Sequence, residues 1–115
     1  MEKTDAVAAL AAIAQDNRLD VFRLLVQAGP EGMAAGAVAE ALDLAPNTLT
    51  FHFDRLRMAG LVTARREGRS IIYAAQFGAM NALISFLTEN CCGGVSCMPA
   101  SQNKPARKRA KVVPA

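Results

Sequence analysis

A mainly α-helical domain carrying a single β-hairpin is the fold class predicted for this chain of 115 residues. Apolar residues recur at helical spacing in five separate stretches, which predicts about five helices. Two of those stretches, a short one and a longer one, are joined by only Asp43-Leu44-Ala45. After the longer one, two β-type runs flank a turn that contains Gly68.

Taken in order, Thr4 is a candidate cap for a first helix whose stripe is Val7, Leu10, Ala11 and Ala14. A second helix starts at Asp16, buries Leu19, Phe22, Leu25 and Val26, and stops at Gly29-Pro30. Gly32 lies in the connection, and a short helix from Ala35 to Leu42 presents Val38 and Leu42. Pro46, well suited to a helix's first position, opens the fourth helix, which runs to about Ala59 before Gly60 ends it. Leu61 to Arg66 and Ser70 to Tyr73 then flank the turn Glu67-Gly68-Arg69 as a hairpin. A last helix from about Phe77 to Asn90 carries Met80, Leu83, Ile84 and Leu87 on one stripe and runs into Cys91-Cys92-Gly93-Gly94. This order predicts a winged helix-turn-helix with a two-stranded wing. The domain occupies residues 1–98, and residues 99–115 form a basic tail, poor in large apolar residues, that is expected to be disordered.

The longest unbroken apolar run, Ala6 to Ala14, is far short of the roughly 18 residues of a membrane span, and the N-terminus lacks the pattern of a secretory signal. A cytoplasmic location with reduced thiols and no membrane partner is the expectation. The net charge of +3 hides an uneven distribution. Residues 1–103 hold eight basic and ten acidic residues, and the remaining five basic residues all lie in the tail. Five of the eight basic residues in the body fall between positions 55 and 69, a local positive edge suited to phosphate. No nucleophile and base constellation is apparent, so an enzyme is not expected.

Spacing residues by 100° on the fourth helix gathers Leu49, His52, Phe53, Leu56, Ala59 and Gly60 on one side and turns Asn47, Thr48, Thr50, Phe51, Asp54 and Arg55 outward. Short hydrogen-bonding side chains, an aromatic able to touch a thymine methyl and an arginine suited to guanine or phosphate are what reading a major groove requires. With the phase shifted by one residue, Phe51 would instead belong to the core. His52 reads as a packing and hydrogen-bonding residue rather than a ligand. The hairpin tip supplies Arg65, Arg66 and Arg69, the chemistry of a wing that touches backbone or enters a minor groove; alone it reads equally well as a solvated turn.

Four stretches carry a family resemblance: Ile13-Ala14-Gln15-Asp16-Asn17-Arg18-Leu19 with Val21-Phe22-Arg23-Leu24-Leu25; Ala45-Pro46-Asn47-Thr48-Leu49-Thr50-Phe51-His52-Phe53; Leu56-Arg57-Met58-Ala59-Gly60-Leu61-Val62; and Arg66-Glu67-Gly68-Arg69 with Tyr73. Across roughly residues 10–90 the chain resembles the arsenic-repressor family of bacterial winged-helix regulators. The resemblance implies a homodimer paired through its first and last helices, bound to an inverted repeat of double-stranded operator DNA until an inducer arrives.

Many members of that family carry inducer cysteines at the start of the helix-turn-helix, but the matching stretch Gly32-Met33-Ala34-Ala35-Gly36-Ala37 has none. The acidic and histidine pairs that bind zinc on the last helix of other members are also missing, since the chain has a single histidine. All three cysteines, Cys91, Cys92 and Cys97, follow the last helix, with Gly93 and Gly94 free to let the chain fold back. Three thiolates with no fourth donor fit As(III) or Sb(III), whereas structural zinc prefers four ligands. The layout resembles the subset of the family with a C-terminal three-cysteine arsenite site. The competing readings are a sensor of Cd(II) or Cu(I), a redox switch, cysteines without a role, and a metalloid carrier that does not bind DNA. A helix C-terminus disfavours thiolates, which counts against the redox switch.

Overall fold

The computed structural model describes residues 1–94, so Cys97 and the basic tail at 99–115 lie outside the described residues. The chain runs α1 (Lys3–Ile13), α2 (Asp16–Ala28), β1 (Met33–Ala34), α3 (Ala35–Leu42), α4 (Pro46–Met58), β2 (Val62–Glu67), β3 (Ser70–Ala75) and α5 (Phe77–Leu87), followed by a tight turn over Cys91–Gly94. This is a winged helix-turn-helix of five helices and one antiparallel sheet of order β1-β3-β2.

The β2–β3 hairpin is the expected two-stranded wing, and β1 adds a third strand to its sheet on the far edge of β3. Met33 pairs with Tyr73 and Ala34 with Ile72, a contribution of two residues, too short to leave an alternating pattern in the sequence. Gly32 makes it possible: at φ +77°, its Cα passes so close to the Tyr73 carbonyl that a Cβ would collide with it. In the hairpin, Glu67 and Ser70 form the last ladder pair, so the connection is Gly68-Arg69, one residue shorter than expected.

Helix α1 departs furthest from expectation. It starts at Lys3 with Glu2 as its cap, and the Glu2 amide donates to the Asp5 carboxylate at 3.4 Å, so Thr4 is not the cap. Its buried face is Ala6, Ala9 and Ala12, whereas Val7 and Leu10 of the expected stripe are 58% and 40% exposed. From Ala6 to Ala14 every residue is apolar, so the run defines a helix without defining its phase. Close approach to the body selects the methyl side chains and turns the larger ones out.

The core is built on α2 and α4. Val21, Phe22 and Leu25 from α2 meet Leu49, Phe53 and Leu56 from α4, with Val38, Leu61 and Leu83 closing the cluster. Leu19, expected inside, is exposed, and Val26 is half-buried. The Phe53 and Tyr73 rings stack with centroids 3.6 Å apart and planes 8° from parallel, and the Gln76 amide donates to the Leu61 carbonyl at 2.7 Å. Helix α4 and the hairpin are thereby fixed to each other. Helix α5 ends at Leu87, three residues early: the Thr88 hydroxyl donates to the Ile84 carbonyl at 2.8 Å, and Asn90 adopts a left-handed conformation.

Candidate nucleic-acid interface

Pro46 starts α4 after Ala45, which has no side chain able to cap, and no acidic residue stands in the first turn. The first amide N–H groups of the helix are therefore open to an anion. Because Leu49, His52, Phe53 and Leu56 face the core, Asn47, Thr48, Thr50, Phe51 and Arg55 are all exposed, and Phe51 is 50% accessible. The phase expected from the helical wheel is the phase observed. Thr50 donates its hydroxyl to the Pro46 carbonyl at 3.0 Å, while the Arg55 guanidinium lies 4.9 Å from the Phe51 ring centroid, a cation–π contact. Asp54 is engaged by Arg57 at 3.4 Å, an exposed pair of little energetic weight.

The structure divides the three wing arginines. Arg65 reaches Glu67 at 2.8 Å and the Glu31 carbonyl at 2.9 Å, strapping β2 to the loop that precedes β1. Arg66 and Arg69 are exposed with no side-chain partner among the described residues. The sequence showed three equivalent cations; the strap joins residues 34 positions apart and leaves no local signal.

His52 is buried, as a packing residue should be, but neither ring nitrogen has a hydrogen-bond partner among the described residues. The expected hydrogen bond is missing. Burial, and then the positive charge of Arg18, lower its pKa below the ordinary 6.5, so the imidazole is neutral at physiological pH. Arg18 is held by its Nε donating to the Ala12 carbonyl, at 2.6 Å, which ties α2 to the end of α1. Burial, with the Asp54 charge adding to it, raises the Tyr73 pKa, so the stacked phenol stays neutral.

Beyond α5, the Sγ atoms of Cys91 and Cys92 are 3.4 Å apart. Cys92 (φ +57°), Gly93 (φ +70°) and Gly94 (φ +101°) all hold left-handed backbone, so the chain turns sharply at the pair. Among the described residues no group of three His, Cys, Asp or Glu is placed to hold a metal ion. Of the three predicted thiol ligands, the structure brings two together, and Cys97 lies outside the described residues.

A helix presenting polar and basic side chains outward, followed by a basic wing, is the architecture of a winged helix-turn-helix transcription regulator. A family model described as a helix-turn-helix domain matches residues 13–65. The transcriptional activator HlyU of Vibrio cholerae is 30% identical over 94 residues, 80% of this chain and 84% of HlyU. Its solved structure superposes with a TM-score of 0.63 at 30% identity, covering 80% of this chain and 99% of that one. The nodulation protein NolR of Rhizobium meliloti is 32% identical over 80 residues, 70% of this chain; the match spans 63% of NolR. The homodimeric winged helix-turn-helix domain of Mb0332 from Mycobacterium bovis, a possible ArsR-family regulator, has a TM-score of 0.60 at 28% identity, covering 76% of this chain and 81% of that one. The chain belongs to the ArsR-like family of winged helix-turn-helix transcriptional regulators. No helix among the described residues is long and apolar enough to cross a membrane.

Proposed function

We propose that the chain is a homodimeric repressor that occupies inverted-repeat operator DNA and leaves it when As(III) or Sb(III) binds Cys91, Cys92 and Cys97. The observation that carries the DNA-binding part is the exposed face of α4. Asn47, Thr48, Thr50, Phe51 and Arg55 point outward from a helix whose opposite face is locked into the core. In this reading those five side chains enter the major groove, the backbone N–H groups of Asn47 and Thr48 in the first turn of α4 meet a phosphate, and Arg66 and Arg69 reach the flanking backbone, with Arg65 holding the wing in place.

Pairing of two chains is supported by large apolar side chains exposed on the first and last helices. Val7 and Leu10 on α1, with Ile84 and Leu87 on α5 at 44% and 59% exposure, are costly in water and are satisfied by a second copy. Sensing is supported by the thiol spacing. Two sulfurs on one ion, at bonds of about 2.3 Å and angles of roughly 90–110°, sit about 3.3–3.8 Å apart. The 3.4 Å separation of Cys91 and Cys92 falls in that range. Because only Thr88, Glu89 and Asn90 separate the pair from the end of α5, drawing Cys97 onto it acts on a helix of the proposed dimer. That HlyU bears the name of an activator does not bear on the geometry: whether a bound dimer represses or activates depends on where its site lies, not on the fold.

A redox-sensing repressor is the second reading, favoured by the same close approach of two thiols. Gel-shift titration with the DNA upstream of the gene separates the two. Under excess phosphine reductant, arsenite is expected to release the wild type and to leave each cysteine-to-serine variant bound. Release by peroxide once the phosphine is removed, together with no release by arsenite in its presence, would favour the redox reading, and arsenite release of a variant lacking all three thiols would rule the site out.

A further inference from the structure

Between α1 and α4 lies an open groove of about 460 Å³, within the size range of small-molecule sites. Ala8 and Ala12 form one wall, Phe51 and Met58 the other, and Arg18 and Arg55 supply its polar groups. No acidic residue lines it. Arg18 spends one guanidinium N–H on the Ala12 carbonyl, Arg55 lies over the Phe51 ring, and neither forms an ion pair among the described residues. The groove is therefore an apolar trough with two arginines and no counter-charge. Met58, at its edge, is 79% exposed, and a methionine so placed packs adaptably on a ligand.

We propose that this groove binds a small amphipathic organic anion, a medium-chain or aromatic carboxylate, and that its occupancy weakens DNA binding. The apolar body lies on Ala8, Ala12, Phe51 and Met58 while the carboxylate pairs with the arginines, which satisfies their charge by charge-assisted hydrogen bonds. The chain's own C-terminal segment is basic at Lys104, Arg107, Lys108, Arg109 and Lys111 and has the wrong sign for this trough. DNA offers phosphate without an apolar body to fill the walls. Two of the lining residues, Phe51 and Arg55, belong to the face proposed to read DNA, so a ligand that engages them withdraws them from the groove of the duplex. This coupling rests on the DNA-binding reading above; ligand binding itself does not.

The probe is anilinonaphthalene sulfonate, an aromatic anion whose fluorescence rises in apolar surroundings, with octanoate and 1-octanol as competitors. Octanoate is expected to displace it at concentrations lower than octanol by about tenfold or more, because only the carboxylate meets the arginines. Ala8→Phe, which fills the trough from an exposed helix position, should abolish the displaceable signal, and Ala11→Phe on the same wall should do likewise. Equal displacement by the alcohol, or an unchanged displaceable signal in both filled variants, would overturn the site. In a DNA titration, saturating octanoate should raise the half-saturation concentration of the wild type by about fivefold or more and leave Ala8→Phe unmoved. An unmoved wild type would overturn the coupling. Absence of DNA binding without octanoate would overturn the DNA-reading assignment instead, and the fluorescence arm then decides the groove by itself.

Discussion

The two regions of the molecule that matter for its proposed work are held in different ways. The reading helix is clamped: Leu49, His52, Phe53 and Leu56 are buried, Phe53 stacks on Tyr73, and the wing beside it is strapped by Arg65 to the Glu31 carbonyl. Cys91 and Cys92 sit on a turn that follows an early helix end, with left-handed backbone at Asn90, Cys92, Gly93 and Gly94 and little buried contact. A rigid reader suits a fixed spacing on DNA, whereas a segment with few packing contacts can be rearranged by an ion at small cost. The division implies that damage to the first region removes DNA binding through folding or contact, while damage to the second removes only the response.

The largest effect is expected at the clamp. Phe53→Ala deletes a buried ring and its stack, so denaturant unfolding should show a loss of about 3–5 kcal/mol, enough to abolish DNA binding by unfolding the reader. Next comes contact without folding: Arg55→Ala should leave the melt unchanged and weaken operator binding by about 1–3 kcal/mol, an effect that direct titration reads. A loss of thermal stability in that variant would return Arg55 to the fold rather than to DNA.

The wing sharpens the comparison on a smaller scale. Arg66→Ala and Arg69→Ala should each lower the slope of log affinity against log salt by about 0.9, as loss of one phosphate contact does. Arg65→Ala should leave that slope nearly unchanged and weaken binding through a looser wing. If all three variants shift the slope equally, the strap has no separate role.

The smallest effect is a pH dependence. His52 is buried without a hydrogen-bond partner among the described residues, and burial with the Arg18 charge depresses its folded pKa below 6.5. As pH falls, the unfolded chain takes up the proton first, so stability holds above about 6.5 and declines below it, toward the depressed folded value. Denaturant melts between about pH 7.5 and about pH 5 should show that decline, and His52→Leu should flatten it. An equal decline in the variant would assign the effect to other groups.

What could be read from the sequence tracks where it contains contrast. Pro46 and Gly60 bracket α4, and polar residues alternate with large apolar ones between them, so both its bounds and its outward face are legible in the sequence. Helix α1 offered no such contrast, and its burial follows from close packing of Ala6, Ala9 and Ala12 that only the fold reveals. Strand β1 is two residues long and exists because Gly32 lets the chain run against β3. The division of labour among Arg65, Arg66 and Arg69 depends on Glu31, distant in sequence, and the lack of a hydrogen-bond partner for His52 among the described residues leaves no local signal. The thiol pair was legible as residues, and the structure adds a spacing.

The most direct measurement is a fluorescence-anisotropy titration of a labelled duplex from upstream of the gene, at low salt and with thiols reduced, in the absence and presence of arsenite. The account predicts saturation at two chains per inverted repeat and loss of the anisotropy gain when arsenite is added. A chain that fails to bind the duplex at low salt, or one that stays bound at saturating arsenite, would contradict it.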